Sequence, residues 1–375
     1  MTTTENTPAM TVQEFMARPK QERLFAYAME ANVPIHLIGK PGTGKTAFIR
    51  SWAAKAGYDC QILSAPHLEV GDVTGFPLAI KDGDGKTYTD FAEVRWLARL
   101  NESPKSLLFI DELGLASQDV RKALLSIVEG RTAGVHEIAE HVRIIAASNP
   151  LEWSFESSPL SAAMRTRFLH IDWELDKQAW LVNHRDGYAN WTPPVRPSGA
   201  DLMGEEKCYL IDGVLSQDVT LLECDSLKNI NPEKPFPTAR SWDKAYALVR
   251  EILSGDEVAY KHALYGTVGE EHGEKIVNLT RYSFNTPEII ADPSTFNWVT
   301  EPADRVYAVL LSVTEVVTHD DNYSPASAEA VYVAAAEGGR ADIAWVFLAR
   351  LMNRFLAFEN SPEASELFSS YLVRG

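Results

Sequence analysis

Cysteine is scarce: only Cys60, Cys208 and Cys224 occur in 375 residues. Their odd number and wide spacing argue against a disulfide framework and against a paired-cysteine metal site, so a reducing compartment fits best. Basic residues are also in short supply, with 35 Lys and Arg against 52 Asp and Glu and a formal net charge of -17. No Lys/Arg cluster stands out, and a protein that tracks a nucleic-acid backbone usually needs one, so nucleic acid is a disfavoured partner. No apolar run approaches bilayer-spanning length, so no membrane insertion is expected. Met1 to Pro8 is polar and Thr-rich, without the basic-then-apolar order of a secretory leader. The expected location is therefore cytoplasmic.

The remaining composition, 45% hydrophobic and 23% charged, belongs to a folded chain, and the length predicts two or more domains. The most informative stretch is Ile35-His36-Leu37-Ile38 followed by Gly39-Lys40-Pro41-Gly42-Thr43-Gly44-Lys45-Thr46. Its second part matches the phosphate-loop pattern G-x-x-x-x-G-K-[ST] without a substitution. A strand that ends in such a loop and continues into a helix presents several backbone N–H groups to one point, which is a site for a polyphosphate.

Apolar spacing predicts a helix over residues 11 to 30, before that strand, and a second helix after Gly44 that stops at Gly57. Asp59 to Ala65 reads as a strand. Gly71 to Thr89 reads as an excursion with a hairpin turn at Asp82-Gly83-Asp84-Gly85. Ser106 to Glu112 carries four large apolar residues into two carboxylates, the pattern of a strand buried on both faces. A helix over Val120 to Glu129, a hairpin segment over Gly130 to His141, and strands at Val142 to Asn149 and Phe168 to Trp173 complete a five-stranded parallel sheet with helices on both faces. Ligands of such sheets bind beyond the carboxyl ends of the strands. The phosphate loop, Asp111, Glu112 and Asn149 all fall at that edge.

This α/β core is expected over residues 11–182. Prolines cluster over residues 183–235, an insertion or linker that contains Tyr209-Leu210-Ile211. From 236 to 375 the pattern is helical, including Ser241 to Leu253, Ala303 to Val317 and Ile343 to Phe358.

The residue types specify a chemistry. Lys45 would reach the outer phosphates and Thr46 would bind magnesium. Asp111 and Glu112 alone could simply cap the next helix. Beside a phosphate loop, Asp111 would hold magnesium, and Glu112 would orient and deprotonate the water that attacks the γ-phosphate. A switch that only binds nucleotide has no need of the second carboxylate, so hydrolysis is favoured. Asn149 is either a turn residue or a group that helps place the water. Arg165 and Arg167 precede the fifth strand, where arginine is common, yet phosphoryl transfer benefits from an arginine supplied by a neighbouring subunit. Arg240 opens a helix, the end where a cation is disfavoured by the helix dipole, and this conflict points to a function. His36 reads as a strand residue, His136 and His141 lack completing metal ligands, and Trp153, Trp173, Trp180, Trp191 and Trp242 read as core or interface packing.

Taken in order, Gly39 to Thr46, Leu107 to Glu112, Ala146-Ala147-Ser148-Asn149-Pro150, Arg165-Thr166-Arg167-Phe168 and Pro237 to Arg240 resemble the Walker A, Walker B, sensor 1, arginine-finger and sensor 2 elements of AAA+ ATPases. The A-A-S-N-P strand, the hairpin before it, the Gly71 to Thr89 insertion and the Arg-Phe ending are similar to the MoxR-like branch. The resemblance covers about residues 20 to 250. It implies a P-loop NTPase (AAA+) core followed by a helical lid and C-terminal domain, with ATP and Mg2+ as ligands. By the same resemblance Lys45 and Thr46 lie on phosphates and magnesium, with Asp111 on magnesium. Glu112 is the base, Asn149 sensor 1, Arg167 the trans-acting finger with Arg165 as its companion, and Arg240 sensor 2, although the usual S-P-R is Thr-Ala-Arg here.

The resemblance further implies a ring, commonly hexameric, that remodels or activates a protein client. Such ATPases are often paired with von Willebrand factor A domain proteins. Alternatives are a nucleotide-dependent assembly scaffold with slow hydrolysis and, less favoured by the acidic balance, a nucleic-acid-dependent ATPase.

Overall fold

The computed structural model describes residues 10–154, 156–185, 191–224, 226, 228, 230–280, 285–355 and 359–372. The polar segment Met1 to Pro8 and Phe358, the expected end of the last long helix, lie outside these residues. The described chain divides into two compact units, one running to Leu202 and including Leu222–Gly273, the other Met203–Leu221 with Glu274–Gly375.

The first unit opens with two helices, α1 (Val12–Met16) and α2 (Lys20–Glu30). The single helix expected over residues 11 to 30 is divided because Pro19 stands between them with extended backbone. Its ring disfavours helical conformation at Arg18, while the start of α2 tolerates it. Strand β1 (Ile35–Ile38), α3 (Lys45–Ala56) and β2 (Asp59–Ser64) follow. Then come α4 (Val70–Thr74) and a hairpin of β3 (Pro77–Lys81) with β4 (Thr87–Phe91). The hairpin turn expected at Asp82 to Gly85 is present, with Gly85 at φ +79°.

Next are α5 (Arg95–Glu102), β5 (Ser106–Asp111) and α6 (Gln118–Gly130), the last capped by the Ser117 hydroxyl, which accepts from the Val120 N–H. A short ribbon of β6 (Thr132–Ala133) with β7 (His136–Glu137) precedes β8 (Arg143–Ser148). The unit's α/β part ends with α7 (Ala162–Arg165), β9 (Leu169–Asp172) and α8 (Lys177–His184).

The main sheet has five parallel strands in the order β2-β5-β8-β1-β9. All of β1 and Ser106 to Ile110 of β5 are buried, so both faces of the sheet are covered. This is why these strands are continuously apolar rather than alternating. Leu63, Leu97, Leu108, Ile110, Leu124, Ile144 and Phe168 share one core cluster. Trp173 and Trp242 are buried as expected, but Trp153 and Trp180 are exposed at 49% and 38%. They cover surface rather than fill the core.

Helix α9 (Gly204–Gln217), which carries Tyr209 to Ile211, belongs to the second unit. Helices α10 (Ala239–Glu251) and α11 (Glu257–Val268) belong to the first, and α12 (Glu270–Thr280) runs from one into the other. Helices α13 (Thr286–Ala291), α14 (Ala303–His319), α15 (Pro325–Ala335) and α16 (Ala341–Arg354) continue the second unit. There the buried Glu315 pairs with Arg350 at 2.6 Å, and the Thr314 and Tyr332 hydroxyls share a hydrogen bond at 2.7 Å.

One buried ion pair fastens α11 to α2. Asp256, 1% exposed, accepts from Arg23 at 2.8 and 3.0 Å and from the Tyr27 hydroxyl at 2.9 Å, and it also caps α11 at the Ala259 N–H. Removing one partner leaves the other charge buried and uncompensated. Asp256→Ala is therefore expected to cost roughly 3–5 kcal/mol in urea unfolding of the full chain. A loss below about 1 kcal/mol would show that the pair contributes little.

Candidate functional site

The phosphate loop is set by three glycines with different duties. Gly42 and Gly44 have φ of +76° and +83°, a region that side chains with a Cβ rarely adopt. Gly39 is held by space instead, since a Cβ there would come within 2.3 Å of the Trp173 carbonyl oxygen. Lys45, 8% exposed, donates to the carbonyls of Gly39 (2.6 Å) and Lys40 (3.1 Å) and to Asn149 Oδ1 (3.0 Å). Burial pulls its ammonium below the usual value, opposed by the charges of Asp111 and Glu112. Thr46 donates its hydroxyl to Asp111 Oδ2 at 2.8 Å. The structure thus brings Lys45 to Asn149 and Thr46 to Asp111, as side chains from three different strand ends.

Glu112 follows Asp111 with φ +56° and ψ +40°. For a residue with a Cβ this conformation costs about 1–3 kcal/mol, and such strain collects at functional positions. Its carboxylate is exposed and makes no hydrogen bond among the described residues. The oxygen donors Thr46 and Asp111 are the hard-ligand type that suits magnesium, and the three donors of Lys45 are satisfied by atoms that phosphate oxygens could replace. The residues present therefore fit a magnesium nucleotide.

The arginines divide. Arg165 is buried and donates to the carbonyls of Asn231 (3.0 Å) and Lys234 (2.8 Å), with its guanidinium over the Phe236 ring. Arg167, 6% exposed, donates to the Ala163 carbonyl and pairs with Glu129. Arg240 pairs with the same Glu129 oxygen at 3.1 Å. Neither Arg167 nor Arg240 makes a hydrogen bond to Lys45, Thr46, Asp111, Glu112 or Asn149.

The strand register explains this separation. Leu169 pairs with Ile35 and Asp172 with Ile38, so Arg167 stands at the amino edge of the sheet while the loop after Ile38 stands at the carboxyl edge. At about 3.3 Å per residue, β9 alone puts roughly 10 Å between the two edges. Helix α6 starts near the carboxyl end of β5 and delivers Glu129 from its last turn.

Glu129 escaped the sequence reading. The available signal was an acidic residue at a helix C-terminus, where the dipole disfavours it, the same kind of conflict that marks Arg240. Lys244 escaped as well. It hydrogen-bonds the Arg240 carbonyl at 3.3 Å, and burial, then the Arg240 and Arg167 charges, bring its ammonium down to about 8.

Beside the loop lies a cleft of about 650 Å³, walled by Gly39 to Thr43, Trp153, Trp173 and Lys234. Lys40 sits over the Trp153 ring at 4.7 Å. A second cavity of about 270 Å³ shares Asp172 and Lys234 with it and extends to Lys20, Leu24, His262 and Tyr265. His136 and His141 bond to backbone carbonyls of Phe91 (2.9 Å) and Ser103 (2.7 Å), and no group of three or more His, Cys, Asp or Glu side chains placed to hold a metal ion occurs among the described residues. No described helix is long and apolar enough to cross a membrane.

Residues 34–168 match the family model of the AAA domain of the dynein-related subfamily. The span encloses the phosphate loop, Asp111, Glu112, Asn149, Arg165 and Arg167, and it ends before Arg240. Among solved structures, a candidate ATPase of Cytophaga hutchinsonii is similar at 17% identity, over 66% of this chain and 79% of that one, with a TM-score of 0.40. A likeness that loose positions no residue.

Under the site, His36 of β1 and His170 of β9 are register partners with ring centroids 5.1 Å apart. His36 shares a hydrogen bond with the Ser148 hydroxyl at 2.6 Å, and His170 donates to the Arg165 carbonyl at 2.9 Å. Burial, then the neighbouring His170 and Lys45, pull His36 well below the usual imidazole value, and burial brings His170 down to about 4.

Both rings stay neutral in the fold while an unfolded histidine takes up a proton near pH 6.5. The unfolded chain then binds more protons, so stability is lost as pH falls from about 6.5 toward 4, at up to roughly 1.4 kcal/mol per pH unit for each histidine. Unfolding midpoints measured from pH 7 to pH 5 should fall accordingly. The slope should be shallower in His170→Gln, whose amide can still donate to the Arg165 carbonyl. An unchanged slope would mean that His170 does not carry this dependence.

Proposed function

We propose, from the premise that residues 34–168 are an AAA+ nucleotide-binding domain, that the chain is a magnesium-dependent ATPase of the MoxR-like type. In this reading it assembles into a ring, commonly hexameric, and uses hydrolysis to remodel or activate a protein client. The observation that carries it is the division of the site's charges between two sheet edges. Lys45, Thr46, Asp111, Glu112 and Asn149 gather at one edge, and Arg167 with Arg240 gathers on Glu129 at the other. A single subunit holds the two halves of a phosphoryl-transfer site but does not join them, and a neighbour would complete each.

In the proposed mechanism, the loop amides and Lys45 hold the triphosphate, with Lys45 exchanging its present carbonyl partners for phosphate oxygens. Thr46 and Asp111 would hold magnesium, which when bound neutralises charge on the phosphates. Glu112, kept exposed by its backbone, takes the proton of the attacking water, and Asn149 helps to place that water. Arg167 of the next subunit stabilises the charge that develops on the transferred phosphoryl group, and Arg240 acts beside it, in trans. Arg165 is assigned a positioning role, because its guanidinium is engaged by the carbonyls of Asn231 and Lys234. The cavity that reaches His262 and Tyr265 is the proposed seat of the base. The client would meet the β3–β4 hairpin, which exposes Leu78, Ile80 and Tyr88 at 48%, 46% and 51%. A von Willebrand factor A domain protein is the candidate client, on the motif resemblance.

Glu112→Gln should lower ATP turnover by about 10²–10⁴ with nucleotide binding kept. Arg167→Ala should lower it by about 10³ or more. Mixing the two inactive variants should restore part of the turnover, since a site with an intact Glu112 can then meet an intact Arg167. A mixture as inactive as its components would refute the shared site, and parent-like turnover in both variants would refute the mechanism.

A further inference from the structure

At the amino edge, Glu129 and Lys244 surround the two arginines. Three cations, Arg167, Arg240 and Lys244, converge where Glu129 faces both arginines and Lys244 feels Asp243 more strongly than Glu129. Positive charge is in excess there, in a chain that is acidic overall. Arg167 is nine-tenths buried, and its Nε has no hydrogen-bond partner, so the guanidinium has donor capacity left over. Glu129 is 37% exposed and receives both guanidinium groups on one oxygen, with its carboxyl held below the usual range chiefly by the Arg167 hydrogen bond. It gains nothing from α6, whose C-terminal dipole repels an anion. A carboxylate bridging two guanidinium groups occupies the place, and makes the kind of charge-assisted bonds, that a phosphate would.

We propose that Glu129 is a resident counter-ion: in a lone subunit it stands in for the phosphate of a neighbouring subunit's nucleotide, and assembly replaces it, with Lys244 as the third cation of the anion site. The inference rests on the trans reading of Arg167 and Arg240. Without Glu129 the two arginines would repel each other across an unneutralised, half-buried surface. With it they are held side by side until a more highly charged anion arrives. The exchange makes the arginines available only when nucleotide is present next door, so the same carboxylate sets the threshold for assembly. In the assembled ring Glu129 lies close to the phosphates and opposes them, because like charges at short range repel.

The test is sedimentation of the full chain with ATPγS and magnesium across protein concentration, for the parent and for Glu129→Gln. The variant should assemble at roughly tenfold lower protein concentration, the effect of about 1.4 kcal/mol. Lys244→Met should shift assembly several-fold in the opposite direction. In an Arg167→Ala/Arg240→Ala background, Glu129→Gln should change nothing, since the carboxylate acts through those two groups. Glu129→Ala, with a better helix former in α6, carries the same expectation should the Gln variant fold poorly. If the parent assembles and the Glu129 variants assemble at the same or a higher concentration, the counter-ion role is overturned and the ring reading stands. If neither the parent nor any variant assembles, both are overturned.

Discussion

Strand β1 has no free edge and no solvent face: Ile35 to Ile38 are paired in parallel with β8 on one side and β9 on the other, and all four residues are buried. Its register fixes what stands where the strand ends. Ile38 lies level with Ser148 and Asp172, so Gly39, Asn149 and Trp173 leave the sheet together. The closeness of Gly39 to the Trp173 carbonyl and the bond from Lys45 to Asn149 follow from that alignment. A shift of β1 by one residue would turn every side chain to the opposite face and separate these groups.

The same parallel register separates charges as strictly as it gathers them. Every strand of the sheet points one way, so the residues that lead into β9 start from the edge opposite the one where β1, β5 and β8 end. Arg167 precedes β9, and α6 runs back across the sheet to bring Glu129 to the same edge. Arg240, from the helix after the Thr238 cap, arrives there too. The acidic and phosphate-binding groups are thus at one end of a rigid layer, and the arginines are at the other. In the proposed ring, repetition of the subunit would bring its two ends to one nucleotide.

Beneath the site the sheet carries an unusual load for a buried layer, the His36 and His170 rings side by side with Ser148 and the Arg165 carbonyl as partners. Their neutrality lets them pack as core groups, and through Ser148 and Arg165 they brace the strand end before Asn149 and the loop before β9. Asp256 plays a comparable part at α2, where one carboxylate joins two helices and caps a third contact at Ala259. Asp256 has both carboxylate oxygens bonded, the condition under which burial is tolerated, whereas each histidine is bonded through Nε2 and leaves its buried Nδ1 without a partner.

Much of this could be read along the chain, because it depends on local pattern. The phosphate loop, the continuous apolar strands, the carboxylates after β5 and Asn149 after β8 are fixed by residue type and spacing, and the parallel sheet follows from alternating strands and helices. Pro19 is equally local, since its ring disfavours helical backbone at Arg18 and so divides the first helix. For Trp153 and Trp180 the choice between core and interface needed the fold, because aromatic content gives no direction and only packing decides which rings are covered. What needed the tertiary structure was every pairing between distant residues. Glu129 and Arg240 are 111 positions apart in sequence, and nothing in either segment names the other. Sequence by itself determined which groups a nucleotide would need; the strand register and the return of α6 decided which of them stand together, since only the fold sets distances between charges.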